Sequence, residues 1–126
     1  MCLPVPAVRV WAFFSSAEKN DGYAFGIEVN QNSNAPNHII ASGLRLWDAV
    51  MADVGQKAAE GILDSGTLTY GIRENTLKVG FEGSNVEVPN EIKKEMETYF
   101  GKVSSGEYVL PGTLDEVDAF LQAIDR

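Results

Sequence analysis

The sequence predicts an α+β domain in which an antiparallel sheet of four to five strands, built from two hairpins, carries helices packed on it. Strand-like and helical patterns occur in separate runs, which is typical of α+β rather than parallel α/β folds. The predicted order is β-β-α-β-β-(β)-α-α. Because 126 residues are the usual size of one domain, we treat residues 1–126 as a single domain.

The first predicted hairpin lies near the start of the chain. Val8–Phe14 is dense in β-branched and aromatic residues, and Tyr23–Val29 alternates large apolar residues with small or polar ones. Asn20–Gly22 supplies residues that tolerate positive φ, which favours an antiparallel connection. The amide-rich stretch Asn30–Asn37 that follows is typical of a surface loop.

A long central helix and a second hairpin are expected next. Apolar residues recur at helical spacing from Ile40 to Ala58, although glycines within this range also allow a start nearer Leu44 or a break near Gly55. Thr67–Ile72 and Leu77–Phe81 then alternate apolar and polar residues. This pattern predicts two antiparallel strands joined by a tight turn, with a left-handed residue at Asn75.

The last third of the chain reads as mainly helical. Asn85–Val88 has the composition of a short edge strand, and Pro89–Asn90 introduces an amphipathic helix. Thr113–Glu116 matches a capping box, in which the threonine and glutamate side chains satisfy free amides at a helix start. A final helix is therefore expected from this point.

Composition narrows the classes of partner. Eighteen acidic against ten basic residues give a formal charge of −8, which repels nucleic acids and anionic membranes. No segment reaches the ~20 apolar residues of a membrane helix, and Met1–Phe14 lacks the basic start of a signal peptide. The lone Cys2 excludes an internal disulfide and favours a reducing compartment. We therefore expect a cytoplasmic location.

No assembled catalytic, metal or cofactor motif is present. His38 is the only histidine, so a site with two imidazole ligands is impossible. The nucleophile motif Gly-x-Ser-x-Gly is missing, and the glycines are scattered rather than clustered as in phosphate-binding loops. The sequence favours a protein that is not an enzyme and that needs no cofactor or metal.

Two surfaces are candidates for protein binding. On the predicted first strand, Arg9, Trp11 and Phe13 belong to residue types that are common at interface hot spots. The alternative is that helices of the domain itself cover this face. The second surface consists of acidic residues on the last two helices, namely Glu91, Glu95, Glu97, Asp115 and Asp118.

The leading hypothesis is a small acidic cytoplasmic protein-binding module, such as a stoichiometric inhibitor, an immunity-type protein or an adaptor. Its expected partner is another protein, and the acidic surface favours a basic one. The alternative is a small-ligand-binding protein or enzyme with a pocket between sheet and helices that uses His38, Glu28 or Tyr23. A second alternative is a structural homo-oligomer, for instance a homodimer formed through the first strand.

Overall fold

The computed structural model describes residues 7–124, with side chains described for residues 10–122. Four helices and three strands form this part of the chain, together with two short 3₁₀ turns at Asn32–Asn34 and Leu114–Glu116. The regular elements are α1 (Ala7–Lys19), β1 (Ala24–Glu28), β2 (Ile39–Arg45), α2 (Trp47–Ala59), β3 (Leu77–Gly80), α3 (Asn90–Ser105) and α4 (Val117–Ile124).

The sheet is mixed rather than antiparallel. Its order is β1-β2-β3, with β1 parallel to β2 and β2 antiparallel to β3. The α+β class is therefore right, whereas the predicted antiparallel sheet of four to five strands from two hairpins is wrong. Neither predicted hairpin forms within residues 7–124, because β2 lies at the centre of the sheet and pairs with both β1 and β3.

The first predicted strand is a helix. Val8–Phe14 lies inside α1 despite its strand-like composition. The physical reason is a second pattern in the same residues: Val10, Phe14 and Ala17 recur at helical spacing, and Phe14 and Ala17 are buried while Val10 packs against them. Packing of this stripe outweighs the weak intrinsic β preference of the side chains.

The turn after α1 has the predicted chemistry but another role. Asp21 adopts a φ of 50°, as expected for a residue that tolerates the left-handed region. It connects a helix to β1 rather than two antiparallel strands. The predicted strand Tyr23–Val29 is confirmed as β1, which covers Ala24–Glu28.

The predicted central helix begins too early. Ile39–Arg45 is the strand β2, and only Trp47–Ala59 is helical, close to the predicted later start near Leu44. Ile39 and Ala41 are both fully buried, and strand pairing on each side of β2 satisfies its backbone groups.

Two further strands were predicted wrongly. Thr67–Ile72 is not a strand, and β3 pairs with β2 instead. Asn75 is nevertheless left-handed as predicted, with a φ of 56°. Asn85–Val88 is also not a strand, because the Asn85 amide donates to the carbonyl of Pro36 at 2.8 Å rather than to a sheet edge.

Both C-terminal helices exist, but the capping box does not form. The predicted helix after Pro89 is α3, and its C-cap Gly106 is left-handed with a φ of 81°. Thr113 makes no side-chain cap, and the Glu116 carboxylate instead accepts the Gly112 amide at 2.8 Å. A short 3₁₀ turn therefore precedes α4.

The apolar core lies between α1 and the parallel strands. It consists of small and medium side chains, namely Phe14, Ala17, Ala24, Ala35 and Ile39. No side chain of α2 or α3 is buried. The best packed part of the molecule is therefore the β1/β2 pair and the loop between these strands, where the candidate site lies.

Candidate functional site

The candidate site is the edge at which β1 and β2 end together. Because the strands are parallel, their last residues meet at one edge, and these residues are Glu28 and Arg45. Glu28 Oε1 lies 2.9 Å from Arg45 Nη1, and the two side chains are 45% and 52% exposed. In open parallel α/β sheets, ligands bind outside the carboxyl ends of the strands. An accessible pair of opposite charges at this place fits such a role.

Glu28 has an uncommon backbone conformation. Its φ is 76°, and the amide of Val29 donates to the carbonyl of Ile27 at 3.0 Å across it. These two features define a classic γ-turn, which is rare and strained. A non-glycine residue in such a region costs about 1–3 kcal/mol, and strain of this kind clusters at functional sites. The conformation turns the chain at the point where Glu28 meets Arg45.

A buried amide fixes the loop that follows Glu28. Asn32 is fully buried, and its Nδ2 donates to the carbonyls of Gly80 (3.0 Å) and Glu82 (2.8 Å). Its Oδ1 accepts from the hydroxyl of Ser42 at 2.7 Å. The segment predicted to be a surface loop is thus attached to both β2 and the end of β3, and it holds the site edge in place.

Gly26 makes room for this network. A Cβ atom at Gly26 would lie 2.2 Å from Ser42 Oγ and 3.1 Å from Gln31 Cβ. The same Ser42 oxygen accepts the Gln31 amide at 3.1 Å. Only a residue without a side chain allows the loop to approach β1 this closely.

A second polar cluster lies between α2 and the segment before β3. The Asp53 carboxylate accepts hydrogen bonds from Lys57 Nζ (2.6 Å) and the Tyr70 hydroxyl (2.5 Å). These bonds, that from Lys57 first, lower the pKa of Asp53 below its usual value. The bond to Asp53 raises the pKa values of both Lys57 and Tyr70. The cluster attaches the segment around Tyr70 to α2.

The predicted protein-binding residues lie on separate elements. Trp11 and Phe13 are 54% and 57% exposed on α1, and the side chain of Arg9 lies outside the described residues. The acidic candidates are all exposed, with three on α3, one in the second 3₁₀ turn and one on α4: Glu91, Glu95, Glu97, Asp115 and Asp118. Their role in protein binding stays a prediction.

The three residues of the alternative hypothesis also have separate roles. His38 is partly buried and its Nδ1 lies 2.9 Å from the carbonyl of Gly22, so it braces the turn before β1. Tyr23 is 66% exposed. Two open grooves of about 500 and 540 Å³, one between β3 and α3 and one beside residues 84–90, are lined by neither His38 nor Glu28.

Sequence reasoning missed the partner of Glu28. Arg45 falls within the predicted central helix, and the sequence pattern therefore does not reveal its position at the end of a strand. Trp47 lies on the apolar stripe that predicts the central helix, yet it is 56% exposed. The available signal was the small-residue run Ala41–Gly43, which suits a strand in close contact with neighbours better than an exposed helix.

Two properties of the described chain limit the chemistry. Among residues 7–124, no three histidine, cysteine or acidic side chains are grouped so that they hold a metal ion. Within the same range, no helix combines the length and apolar character required to cross a membrane.

This fold occurs within larger proteins of known structure. The sequence matches no protein family model and no curated protein. In structure, the chain is similar to a transcriptional activator of the comK gene from Bacillus halodurans (TM-score 0.64, 23% identity, 73% of this chain and 32% of that chain). It is also similar to an ABC transporter system solute-binding protein from Aeropyrum pernix K1 (TM-score 0.62, 18% identity, 90% and 41%).

The chain therefore spans about a third to two-fifths of the length of these two proteins. At such identities the likeness shows the fold alone.

Proposed function

We propose that this chain contributes to the binding of a small polar solute, with Glu28 and Arg45 as the recognition pair. The observation that carries the proposal is the convergence of two parallel strand ends on this ion pair, 2.9 Å apart, next to a strained γ-turn. Among the functions considered from the sequence, this corresponds to the small-ligand alternative that uses Glu28.

The pair offers complementary chemistry to a solute. The carboxylate accepts hydrogen bonds, and the guanidinium donates them from a planar fork. An exposed ion pair of this kind contributes only about 0.2–1 kcal/mol, so a solute with neighbouring hydroxyl or amide groups replaces the mutual contact at little cost. The buried Asn32 network behind the edge keeps the two groups in position, which lowers the entropic cost of binding.

The fold likeness supports the same direction. One of the similar proteins is described as a solute-binding protein of an ABC transporter system. Solute-binding proteins of this general kind close around a ligand by domain movement. A half-exposed charged edge is suited to form one side of such a site, with the other side supplied by further protein.

The test is a thermal-shift and calorimetry screen with nucleosides, sugars and amino acids. A bound solute at ten times its Kd adds about 1.4 kcal/mol of stability, which corresponds to a rise in Tm of roughly 5 °C for a chain of this size. We expect one solute class to give this rise. The proposal fails if no class does, or if the rise survives Arg45→Ala.

The variant Glu28→Gly separates strain from recognition. Glycine adopts positive φ freely, so this variant is expected to be about 1 kcal/mol more stable than the wild type while solute affinity falls at least tenfold. Glu107→Gln is the matched control. It breaks another exposed ion pair away from the site, in which Glu107 Oε1 lies 3.1 Å from Lys102 Nζ. Affinity is expected to stay unchanged in this control.

The protein-binding hypothesis and the cytoplasmic location stay predictions from the sequence. Neither the charge of −8 nor the exposed acidic side chains identify a partner. They are compatible with a basic partner.

A further inference from the structure

The outer edge of β1 is open. Among residues 7–124, β1 is hydrogen-bonded to a strand on one side only, since the sheet order is β1-β2-β3. The Ala24 amide donates across to the His38 carbonyl at 2.8 Å. The Ile27 amide bonds the Gln31 side chain rather than β2, and amide directions repeat at every second residue of a strand, so the Phe25 amide also points away from β2. This edge can therefore pair with another strand.

One of these outward amides is already occupied by a side chain. The Ile27 amide donates to Gln31 Oε1 at 3.1 Å. The Gln31 oxygen thus takes the role that a carbonyl of a neighbouring strand would play. An incoming strand that bonds the Ile27 amide displaces this side chain.

The exposed face along β1, beside the open edge, carries an apolar ridge, defined as Tyr23, Phe25, Ile27 and Val29. These side chains are 66%, 63%, 62% and 58% exposed. Together they present on the order of 400 Å² of apolar surface, about half of the ~800 Å² that one partner buries in a standard interface. Strand pairing along the edge supplies further contact area.

We propose that the β1 edge binds a β-strand from a second polypeptide that differs from this chain. Charge argues against a second copy, because each copy carries −8. Two identical edges related by a twofold axis pair antiparallel, which brings the Glu28 end of one copy to the Asp21 end of the other. The fitting occupant has alternate apolar residues and is flanked by lysine or arginine.

The proposal goes beyond solute binding, and it rests on the edge and the apolar ridge rather than on Arg45. Addition of a strand to an open sheet edge is a common mode of peptide recognition, in which main-chain bonds give affinity and alternate side chains give specificity.

The probe is a synthetic, fluorescently labelled peptide with the sequence Lys-Val-Thr-Val-Thr-Val-Lys, and the measurement is fluorescence anisotropy with the full chain. We expect saturable binding. Phe25→Lys is expected to weaken it at least tenfold, and Gln31→Ala to tighten it three- to tenfold, because the competing acceptor is removed while the Cβ atom beside Gly26 is kept. Val109→Lys, at a side chain 70% exposed elsewhere, serves as the control and is expected to leave binding unchanged.

Three outcomes would overturn the proposal. The first is no saturable binding at millimolar peptide, and the second is binding that Gln31→Ala does not tighten. The third is dimerisation, detected by light scattering, that Phe25→Lys abolishes, which would make a second copy the occupant. Hydrogen exchange gives an independent readout, since peptide binding is expected to slow exchange of the Phe25 amide. Arg45→Ala is expected to abolish the solute effect and to leave peptide binding unchanged, so the two proposals fail separately.

Discussion

Removal of the Asn32 side chain tests the physical account of the site edge most directly. Asn32→Ala deletes three hydrogen bonds, those to Gly80, Glu82 and Ser42. Each is worth about 1 kcal/mol net, so we expect a loss of about 3 kcal/mol in the free energy of unfolding. Glu82 keeps one partner, because Asn30 Nδ2 also donates to its carbonyl at 3.0 Å. The loss is therefore not expected to be much larger.

The assay is urea unfolding followed by far-ultraviolet circular dichroism. A loss of this size is a large fraction of the 5–15 kcal/mol that typical domains possess. Asn32→Asp is expected to cost more than Asn32→Ala, since a carboxylate cannot donate to two carbonyls. Ser33→Ala, at an exposed side chain in the same 3₁₀ turn, is expected to stay within about 0.5 kcal/mol of the wild type. A similarly small effect of Asn32→Ala would refute the role given to the network.

Two other predictions concern a glycine and an ion pair. Gly26→Ala is expected to destabilise the fold by about 1–3 kcal/mol, because the added Cβ would overlap Ser42 Oγ. Gly55→Ala lies in open space on α2 and is expected instead to stabilise the fold by up to about 1 kcal/mol in the same unfolding assay. The pKa of Asp53 in the folded chain is lower than its ordinary value of 3.8. The contribution of Asp53 to folding stability is therefore fully present above pH 3.8 and is lost as the pH falls through the folded-state pKa. Asp53→Asn is therefore expected to lower Tm at pH 7 and to leave Tm unchanged at a pH below the folded-state pKa of Asp53. A difference in Tm between the variant and the wild type that persists in acid would contradict this.

Helical periodicity predicted the structure correctly where no strand-like pattern was present in the same residues. The stripe of α3 was visible in the sequence because its outer face is strongly charged, and its structure agrees with the prediction. The left-handed residues Asp21 and Asn75 were also correctly located from turn chemistry. These features depend on residues close together in the chain, which is the information that a single sequence holds.

The wrong predictions of secondary structure for Val8–Phe14 and Ile39–Arg45 share one cause. Each segment carries both a helical and a strand-like pattern, and tertiary contacts decide which structure forms. Val8–Phe14 contains both a β-rich composition and a helical stripe, and burial of Phe14 against β1 selects the helix. In Ile39–Arg45 the helical spacing is coincidental, and pairing on two sides selects the strand. The Glu28–Arg45 pair depends on a parallel register across 17 positions of sequence, which no local pattern specifies.

The uneven distribution of buried side chains has a consequence for how this protein opens. Among residues 10–122, the buried residues lie between Phe14 and Ser42, with Thr76 as an outlying member, whereas α2 and α3 bury none. Regions with few buried apolar contacts open at lower free energy than the rest of a domain. We therefore expect local opening to begin in α2 and α3 while β1, β2 and their connecting loop stay folded. On this expectation, the edge that presents Glu28 belongs to the part of the chain that opens last.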